Sequence, residues 1–360
     1  MRERNRPLRA TPKRRLRQKT GPTVADVARA AGVSPMTVSR VVNGESNVLP
    51  STRDAVQKAI GALGYAPNAA ARSLAGGKQC RIALIHSNPS AAYLSELLVG
   101  SLARAVSVDV QLAIEQRHER EYAEALVRRL VQHRIDAVVL PPPHCDDVKL
   151  LAAFQRSGMP VAQIATGRPA AFAHAVVIGD EAAAHAMTTH LITLGHRRIG
   201  FIAGNPNQTT SALRRAGHER ALREADLVVE AGLVAQGDFS YRSGLDAAEI
   251  LLACIPRPTA LFASNDDMAA AAVAVAHRQR INVPSELSVC GFDDSAMATT
   301  IWPELTTIRQ PVPEMARRAI ELLATSVRSR SATAALVPQH VCLDFELVHR
   351  NSAGPPPRGP

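Results

Sequence analysis

Aromatic residues are scarce in this chain: Phe, Trp and Tyr make up 3% of its 360 residues, with a single Trp. There are five cysteines, at 80, 145, 254, 290 and 342, an odd number without a C-x-x-C pair. Most sit inside apolar, strand-like runs, where a thiol acts as a small hydrophobe. A disulfide framework is excluded, and a reducing, cytoplasmic compartment is expected. No apolar run approaches the ~18 residues of a membrane span. The Arg-rich N-terminus has no apolar segment behind it, so it does not read as a secretory signal. No G-x-G-x-x-G follows a strand-like run, and 76-GGKQ-79 lacks phosphate-loop spacing. His185, His190 and His196 do not form H-E-x-x-H and read as solvated or capping residues. The stretch 144-HCDD-147 reads as one short polar loop rather than a ligand set. The acid pairs Asp266-Asp267 and Asp293-Asp294 have no nucleophile or metal cluster beside them, and Asp294 reads as a helix cap. No enzyme, metal or cofactor is expected from these residues.

What is present is charge in one place. The formal net charge is +10. Residues 1–20 carry nine Lys or Arg against Glu3, and residues 21–78 carry six against three acids, so the remainder is close to neutral. Positive charge confined to the first fifth of a chain points to a polyanionic partner, nucleic acid or anionic lipid, or else to a solvated tail.

Organisation follows composition. Residues 1–22 form a basic arm broken by Pro7, Pro12 and Pro22, and residues 23–66 read as short helices. Residues 67–78 are an Ala-rich linker ending in Gly76-Gly77 that reads as a marginal helix. From residue 79 to 350, apolar runs alternate with amphipathic stretches: 81-RIALIH-86, 108-VDVQLAI-114, 135-IDAVVLP-141, 159-MPVAQIA-165, 175-AVVIG-179, 198-RIGFIAG-204, 259-TALFAS-264 and 286-ELSVCGF-292. Continuous apolar strands separated by helices predict parallel sheets covered on both faces, and the length suffices for two lobes. Residues 351–360 read as a disordered tail without heptads.

The stretch 23-TVADVARAAGVSPMTVSRVVN-43 has the spacing of a helix-turn-helix. Thr23 caps a first helix and Gly32 permits the turn. Ser34 caps a second helix that Pro35 opens. Val24, Val27, Ala28 and Ala31 face Val33, Val38, Val41 and Val42. A third helix is expected from Ser51 with Asp54 as a capping box, its apolar face made by Ala55, Val56, Ala59, Ile60 and Leu63. Pro35, Met36, Thr37, Ser39 and Arg40 then face outward. Met36 suits a thymine methyl and Arg40 a guanine edge. Thr23, Ser34, Thr37, Ser39 and Asn43 offer donors for backbone phosphates.

With those residues in place, the chain resembles the LacI family of bacterial transcriptional repressors from about Thr23 to about Arg350. The resemblance is carried by 26-DVARAAGVSPMTVSRVVNG-44, 64-GYAPNAAARSLAGG-77, 194-LGHRRIGFIAG-204, 264-SNDDMA-269, 291-GFDD-294 and 303-PELTTIRQP-311. It implies an all-α headpiece at 23–66, a hinge helix at 67–78, and a two-lobed core of the periplasmic-binding-protein (type I) kind that dimerises. It implies a palindromic double-stranded operator as partner, contacted by Val24 and the headpiece residues above. Asn68, Ala71 and Leu74 would join them from the hinge, with Leu74 wedged into the minor groove. A hinge this short and Gly-terminated folds only when docked.

The resemblance also implies an effector cleft. Arg214 in 213-LRRAG-217 stands where the family places a ligand-gripping arginine; Asn265 lies in SNDDM and Asp293 in GFDD. Together they suit the vicinal hydroxyls of a sugar. The segments 88-NPSAAYLSELL-98 and 236-QGDFS-240 resemble pocket walls of the family's purine-responsive members. They would aim Tyr93 and Phe239 at a ligand ring, with Thr210 beside Arg214, although packing also accounts for both rings. Ala165 departs from some sugar-binding members, which place a polar or charged residue there. The expectation is a cytoplasmic, homodimeric repressor of a carbohydrate-use operon with a sugar effector. A purine-responsive repressor is the alternative, and a solute-binding protein is less well supported.

Overall fold

The computed structural model describes residues 22–42, 48–65, 80–87, 90–118, 121–329 and 337–357. The basic arm at 1–21, the hinge residues Asn68, Ala71 and Leu74, and Asn43 lie outside the described residues. The chain divides into two compact units, residues 1–78 and 79–360.

The first unit holds three helices: α1 (Val24–Ala31), α2 (Pro35–Val42) and α3 (Pro50–Leu63). Thr23 caps α1 in a reciprocal box with Asp26, whose Oδ2 accepts from the Thr23 N–H at 2.9 Å. Gly32 ends α1 at φ 66°, the left-handed conformation that a side chain resists. Ser34 Oγ accepts from the Thr37 N–H at 3.1 Å, and Pro35 opens α2. Val27, Ala28, Val38, Val41, Val56, Ala59 and Tyr65 form the buried core. The α3 expectation needs correcting. Helix α3 begins two residues earlier than a Ser51 cap implies, at Pro50, and its N-cap Leu49 makes no side-chain cap bond, so the Ser51–Asp54 box does not form. Proline at the first helical position already supplies the entry geometry. The buried face is Val56 and Ala59, while Leu63 is exposed.

The second unit contains two six-stranded sheets. The first has strands β1 (Cys80–His86), β2 (Val110–Gln116), β3 (Ala137–Leu140), β4 (Val161–Ile164), β5 (His174–Ile178) and β11 (His340–Leu343), in the order β11-β5-β4-β3-β1-β2. The second has β6 (Ile199–Ala203), β7 (Val234–Gln236), β8 (Ala260–Ala263), β9 (Ser288–Asp293), β10 (Thr306–Arg309) and β12 (Glu346–Val348), in the order β12-β10-β9-β8-β6-β7. All pairings are parallel except β10–β12. Strands β3, β4, β6, β8 and β9 are buried at every residue, as their unbroken apolar runs require.

Helices α4 (Ala91–Ser107), α5 (Ala123–Gln132) and α6 (Val148–Ser157) belong to the first sheet's lobe. Helices α7 (Asp180–Thr193), α8 (Thr209–Glu224), α9 (Tyr241–Leu252), α10 (Asp266–Arg278) and α11 (Ala296–Thr300) belong to the second. Helix α12 (Val312–Ser329) returns to the first lobe, against α4, β1, β3, β4 and β5. The chain therefore crosses between lobes three times: after β5, after β10, and between β11 and β12.

Three further expectations are corrected. Residues 351–357 are not a free tail: Ser352 is buried, accepts from the Thr306 N–H and donates to the Val289 carbonyl. They bond to the start of β9, where the Val289 N–H donates to the Ser352 carbonyl and Ser288 Oγ accepts from the Gly354 N–H. His196 is neither solvated nor capping. It is buried, with Nε2 donating to the Gly354 carbonyl at 2.9 Å and Nδ1 2.9 Å from Thr259 Oγ1. Burial lowers its basicity. Asp294 does not cap a helix; it is ion-paired with Arg309 at 2.7 Å and Arg350 at 2.5 Å.

Candidate functional site

On the headpiece, the outward face of α2 is as expected. Thr23, Ser34, Pro35, Met36 and Arg40 are exposed, and Thr37 and Ser39 are half-buried. Met36 keeps 64% of its surface in solvent. Val24 is half-buried against the headpiece core.

In the core, all six expected effector residues converge on one cavity between the lobes: Tyr93, Thr210, Arg214, Phe239, Asn265 and Asp293. Tyr93, Phe239, Asn265 and Asp293 stand at or beside element boundaries, and Thr210 and Arg214 in the first two turns of a helix. Tyr93 stands in the first turn of α4, behind its N-cap Ser90. Thr210 and Arg214 lie one turn apart on α8. Asn265 caps α10: its Oδ1 accepts from the Met268 N–H at 3.0 Å, while Nδ2 donates to the Phe239 carbonyl at 2.9 Å. Asp293 ends β9 at φ 111°, and Phe239 sits at φ 75°. Side-chain residues held in left-handed backbone cost free energy and cluster where a site demands a direction. Gly204 makes room for the Phe239 ring, since a Cβ there would lie 2.1 Å from Phe239 Cζ.

Arg214 is the centre of the arrangement. Its side chain is 5% exposed. Nε donates to Asp180 Oδ1 at 2.8 Å and Nη1 to the Ser264 carbonyl at 2.6 Å. The guanidinium carbon lies 3.6 Å from the Phe292 ring centre, and Asp293 Oδ1 is 3.9 Å from Nη1. Burial raises the Asp180 carboxyl despite Arg214. Burial also raises Asp293, to about 7, against the pull of Arg214 and of Gln310, whose Nε2 donates to Asp293 Oδ1 at 2.5 Å. A polyhydroxylated ligand would meet a planar donor, a carboxylate that ionises near neutrality and an amide donor on adjacent walls. Tyr93 Oη and Gln310 Oε1 are both buried without a hydrogen-bond partner among the described residues. Such groups are costly unless something fills them.

The residues that sequence reasoning missed are Ser90, Pro142, Gln208 and Gln310, which line the same cavity, and Asp180 and Asp146 behind it. Gln310 lies in 303-PELTTIRQP-311, a stretch read as a signature but not as a wall. The 144-HCDD-147 stretch is more than a polar loop. His144 and Cys145 are buried, and Asp147 caps α6 by accepting from the Leu150 N–H. Asp146 Oδ2 reaches the second lobe, accepting from both the N–H and Oγ1 of Thr209 at 2.8 Å. Thr209 Oγ1 also accepts from the Gly167 N–H at 2.6 Å, and Ser90 Oγ donates to Asp267 Oδ2 at 2.6 Å. These bonds join the lobes directly. Ala165, at φ 54°, gives the wall no polar side chain. The cavity is about 30 Å³, of the order of one water.

Comparison with known proteins follows the same division. Residues 23–68 match the family of bacterial regulatory proteins, lacI family, and residues 188–353 match the periplasmic binding protein-like domain. Catabolite control protein A of Priestia megaterium is 32% identical over 322 residues, 88% of this chain and 95% of its own length. The HTH-type transcriptional regulator CelR of Thermobifida fusca is 33% identical over 340 residues, 92% and 98% of the two chains. Among solved structures, a lac repressor dimer bound to operator and the anti-inducer ONPF superimposes with TM-score 0.74 at 27% identity, covering 93% of this chain and 100% of that one. A CelR–cellobiose complex gives TM-score 0.70 at 31% identity, covering 92% and 99%. A helix-turn-helix unit with an exposed reading helix and a two-lobed core with a polar cleft thus agree with whole-length relatives: this chain belongs to the lacI family of bacterial regulatory proteins.

Proposed function

We propose that the protein is a cytoplasmic, homodimeric transcriptional repressor of a carbohydrate-use operon, and that a small sugar-like effector in the interlobe cleft controls its hold on a palindromic operator. The observation that carries the effector reading is the buried clamp. Arg214 is held flat on Phe292 by Asp180 and the Ser264 carbonyl, beside Asp293 and Asn265, with Tyr93 Oη unpartnered among the described residues. Sugar hydroxyls donate and accept at once, and a fixed donor fork next to a carboxylate selects their spacing. The relative crystallised with cellobiose supports the same class.

The DNA reading rests on α2. Met36 and Arg40 project from a helix whose opposite face is the headpiece core, and hydroxyls at Thr23, Ser34, Thr37 and Ser39 flank them. A second copy is supported by helix α4, which leaves Val99, Leu102 and Val106 exposed at 60%, 52% and 84% along one face. Two-fold symmetry then matches the two half-sites of a palindrome. Regulation requires the effector to bind one lobe arrangement better than another. A difference of ~1–3 kcal/mol changes operator occupancy usefully.

The test is binding of the full chain to a pool of genomic fragments at several salt concentrations, with and without saccharides and nucleobases. Saturable binding to one palindromic sequence, with affinity falling as salt rises and shifting with a saccharide, is expected. A shift with nucleobases alone would make the repressor purine-responsive. Equal affinity for every fragment would overturn the regulatory reading.

A further inference from the structure

A histidine stands at the head of an otherwise apolar run, 173-AHAVVI-178. His174 opens β5 and is 6% exposed. Two contacts fix where its proton lies. The Gln339 N–H donates to Nδ1 at 3.0 Å, so Nδ1 is an acceptor and carries no proton. The proton is on Nε2, which donates to Ser326 Oγ at 2.7 Å. That hydroxyl donates in turn to the Leu322 carbonyl at 2.9 Å. Both ring nitrogens are used, and the neutral ring alone satisfies them.

The segments joined here are those that cross between the lobes. Strand β5 leads into the first crossing, and Ser326 lies on α12, which follows the second. Gln339 stands immediately before β11, which leads into the third. Gln339 is held twice, since its carbonyl also accepts from the Ala175 N–H at 2.9 Å. Among the described residues β11 pairs with β5 alone, at the edge of the sheet, and alternate residues of it are exposed. Such a strand depends on few contacts.

We propose that His174 is a pH-sensitive catch: a proton taken up at Nδ1 expels the Gln339 N–H, and β11 leaves the first sheet. An imidazolium donates from both nitrogens and would set Nδ1–H against the Gln339 N–H. It would also meet no opposite charge. Strand β4 has no titratable side chain, and β5 has none besides His174 itself. On α12, Glu321 is paired with Arg104 and Arg318, and Arg328 donates to the Val108 carbonyl. On β11, His340 opposes a second positive charge. Burial, and then His340, hold the His174 ring neutral below the ordinary imidazole range. A released ring titrates at its ordinary ~6.5. The attached strand therefore binds the proton less well than the released one. Attachment is at full strength above about pH 6.5 and weakens as pH falls, by up to about tenfold per pH unit until the attached ring itself titrates. Helix α12 keeps its apolar face on β1, β3, β4 and β5, so the release is confined to β11 and the crossing behind it.

The test is hydrogen exchange of the full chain at about pH 7.5 and about pH 5.5, with the His174 ring titrated by NMR in parallel. Protection factors of the β11 amides are compared with those of β3 in the same sample. Protection of β11 is expected to fall severalfold, up to about tenfold, while β3 holds. His174→Asn offers a carboxamide oxygen close to the Nδ1 position and does not titrate, so β11 should lose its pH step. His174→Gln reaches towards Ser326 but offers no acceptor at that position, and should leave β11 exchanging fast at both pH values. Unchanged β11 protection across the interval in which the ring titrates overturns the catch. So does a wild-type pH step that survives in His174→Asn, or a ring that gains no proton before β3 itself loses protection.

Discussion

Arg214→Ala tests whether the clamp is a ligand contact placed on a finished fold or part of the fold itself. The guanidinium is the only cation placed to offset Asp180 among the described residues in contact with that carboxylate, whose side chain is 1% exposed. It also stacks on Phe292 and holds the Ser264 carbonyl. Removing one partner of a buried ion pair costs about 3–5 kcal/mol, because the other charge stays buried without compensation. Against a typical total of ~5–15 kcal/mol, that threatens the core. Urea unfolding of the full chain, followed by core fluorescence and circular dichroism, measures the loss. The cost should be smaller at acidic pH. Asp180, already raised by burial, rises further without Arg214, so the folded variant binds a proton that the unfolded chain releases, and stability falls as pH increases. Arg214→Ala with Asp180→Asn should recover part of the loss, since the stranded charge is gone. A single-variant cost below about 1 kcal/mol, or a double variant no more stable than Arg214→Ala, would refute the reasoning. The practical consequence is that a missing effector response in Arg214→Ala says little by itself. Arg214→Lys, which keeps the charge and loses the fork, is the cleaner ligand probe.

Other outcomes follow from the same geometry. If Asp293 accepts from the effector as a carboxylate, affinity should rise with pH through about 7 and level above it, because burial holds the group protonated below that point; calorimetry that is flat between pH 6 and 8 would contradict this. Gly217→Ala should destabilise the core by about 1–3 kcal/mol or more, as its Cβ would lie 2.1 Å from the Glu181 carbonyl where α7 and α8 cross; an unchanged urea midpoint would count against that crossing. Leu74→Ala should weaken operator binding far more than random-DNA binding in gel-shift titrations if the hinge wedge inferred from the family resemblance operates; equal losses would remove it. Deleting residues 1–19 should flatten the salt dependence of DNA affinity, lowering the log–log slope by about 0.9 for each phosphate the arm neutralises, with the preferred site unchanged; an altered site would show that the arm reads bases.

Much of this was legible in the residue order because the devices are local. Thr23 with Asp26, Gly32, and Ser34 with Pro35 fix helix starts and stops within a few residues, so the headpiece reads from sequence. The α3 cap failed because two local signals competed, and Pro50 entered the helix before Ser51. Buried strands announced themselves as apolar runs. The short β7, β10, β11 and β12 did not, since three or four residues are too few to show a period, and β7, β11 and β12 are also partly solvated sheet edges.

The sequence alone determined where the chain changes character: a basic, helical first unit, then apolar runs spaced for parallel sheets, with Arg214, Asn265 and Asp293 singled out by the family resemblance. Only the tertiary structure decided what those residues touch. Asp180 beneath Arg214, Gln310 on Asp293, and Asp146 reaching Thr209 are contacts between segments 34, 17 and 63 residues apart. Their partners are chosen by three crossings between two sheets. Residue spacing encodes the helix and the strand; the meeting of distant strand ends is set by how whole layers pack, and no local pattern records it.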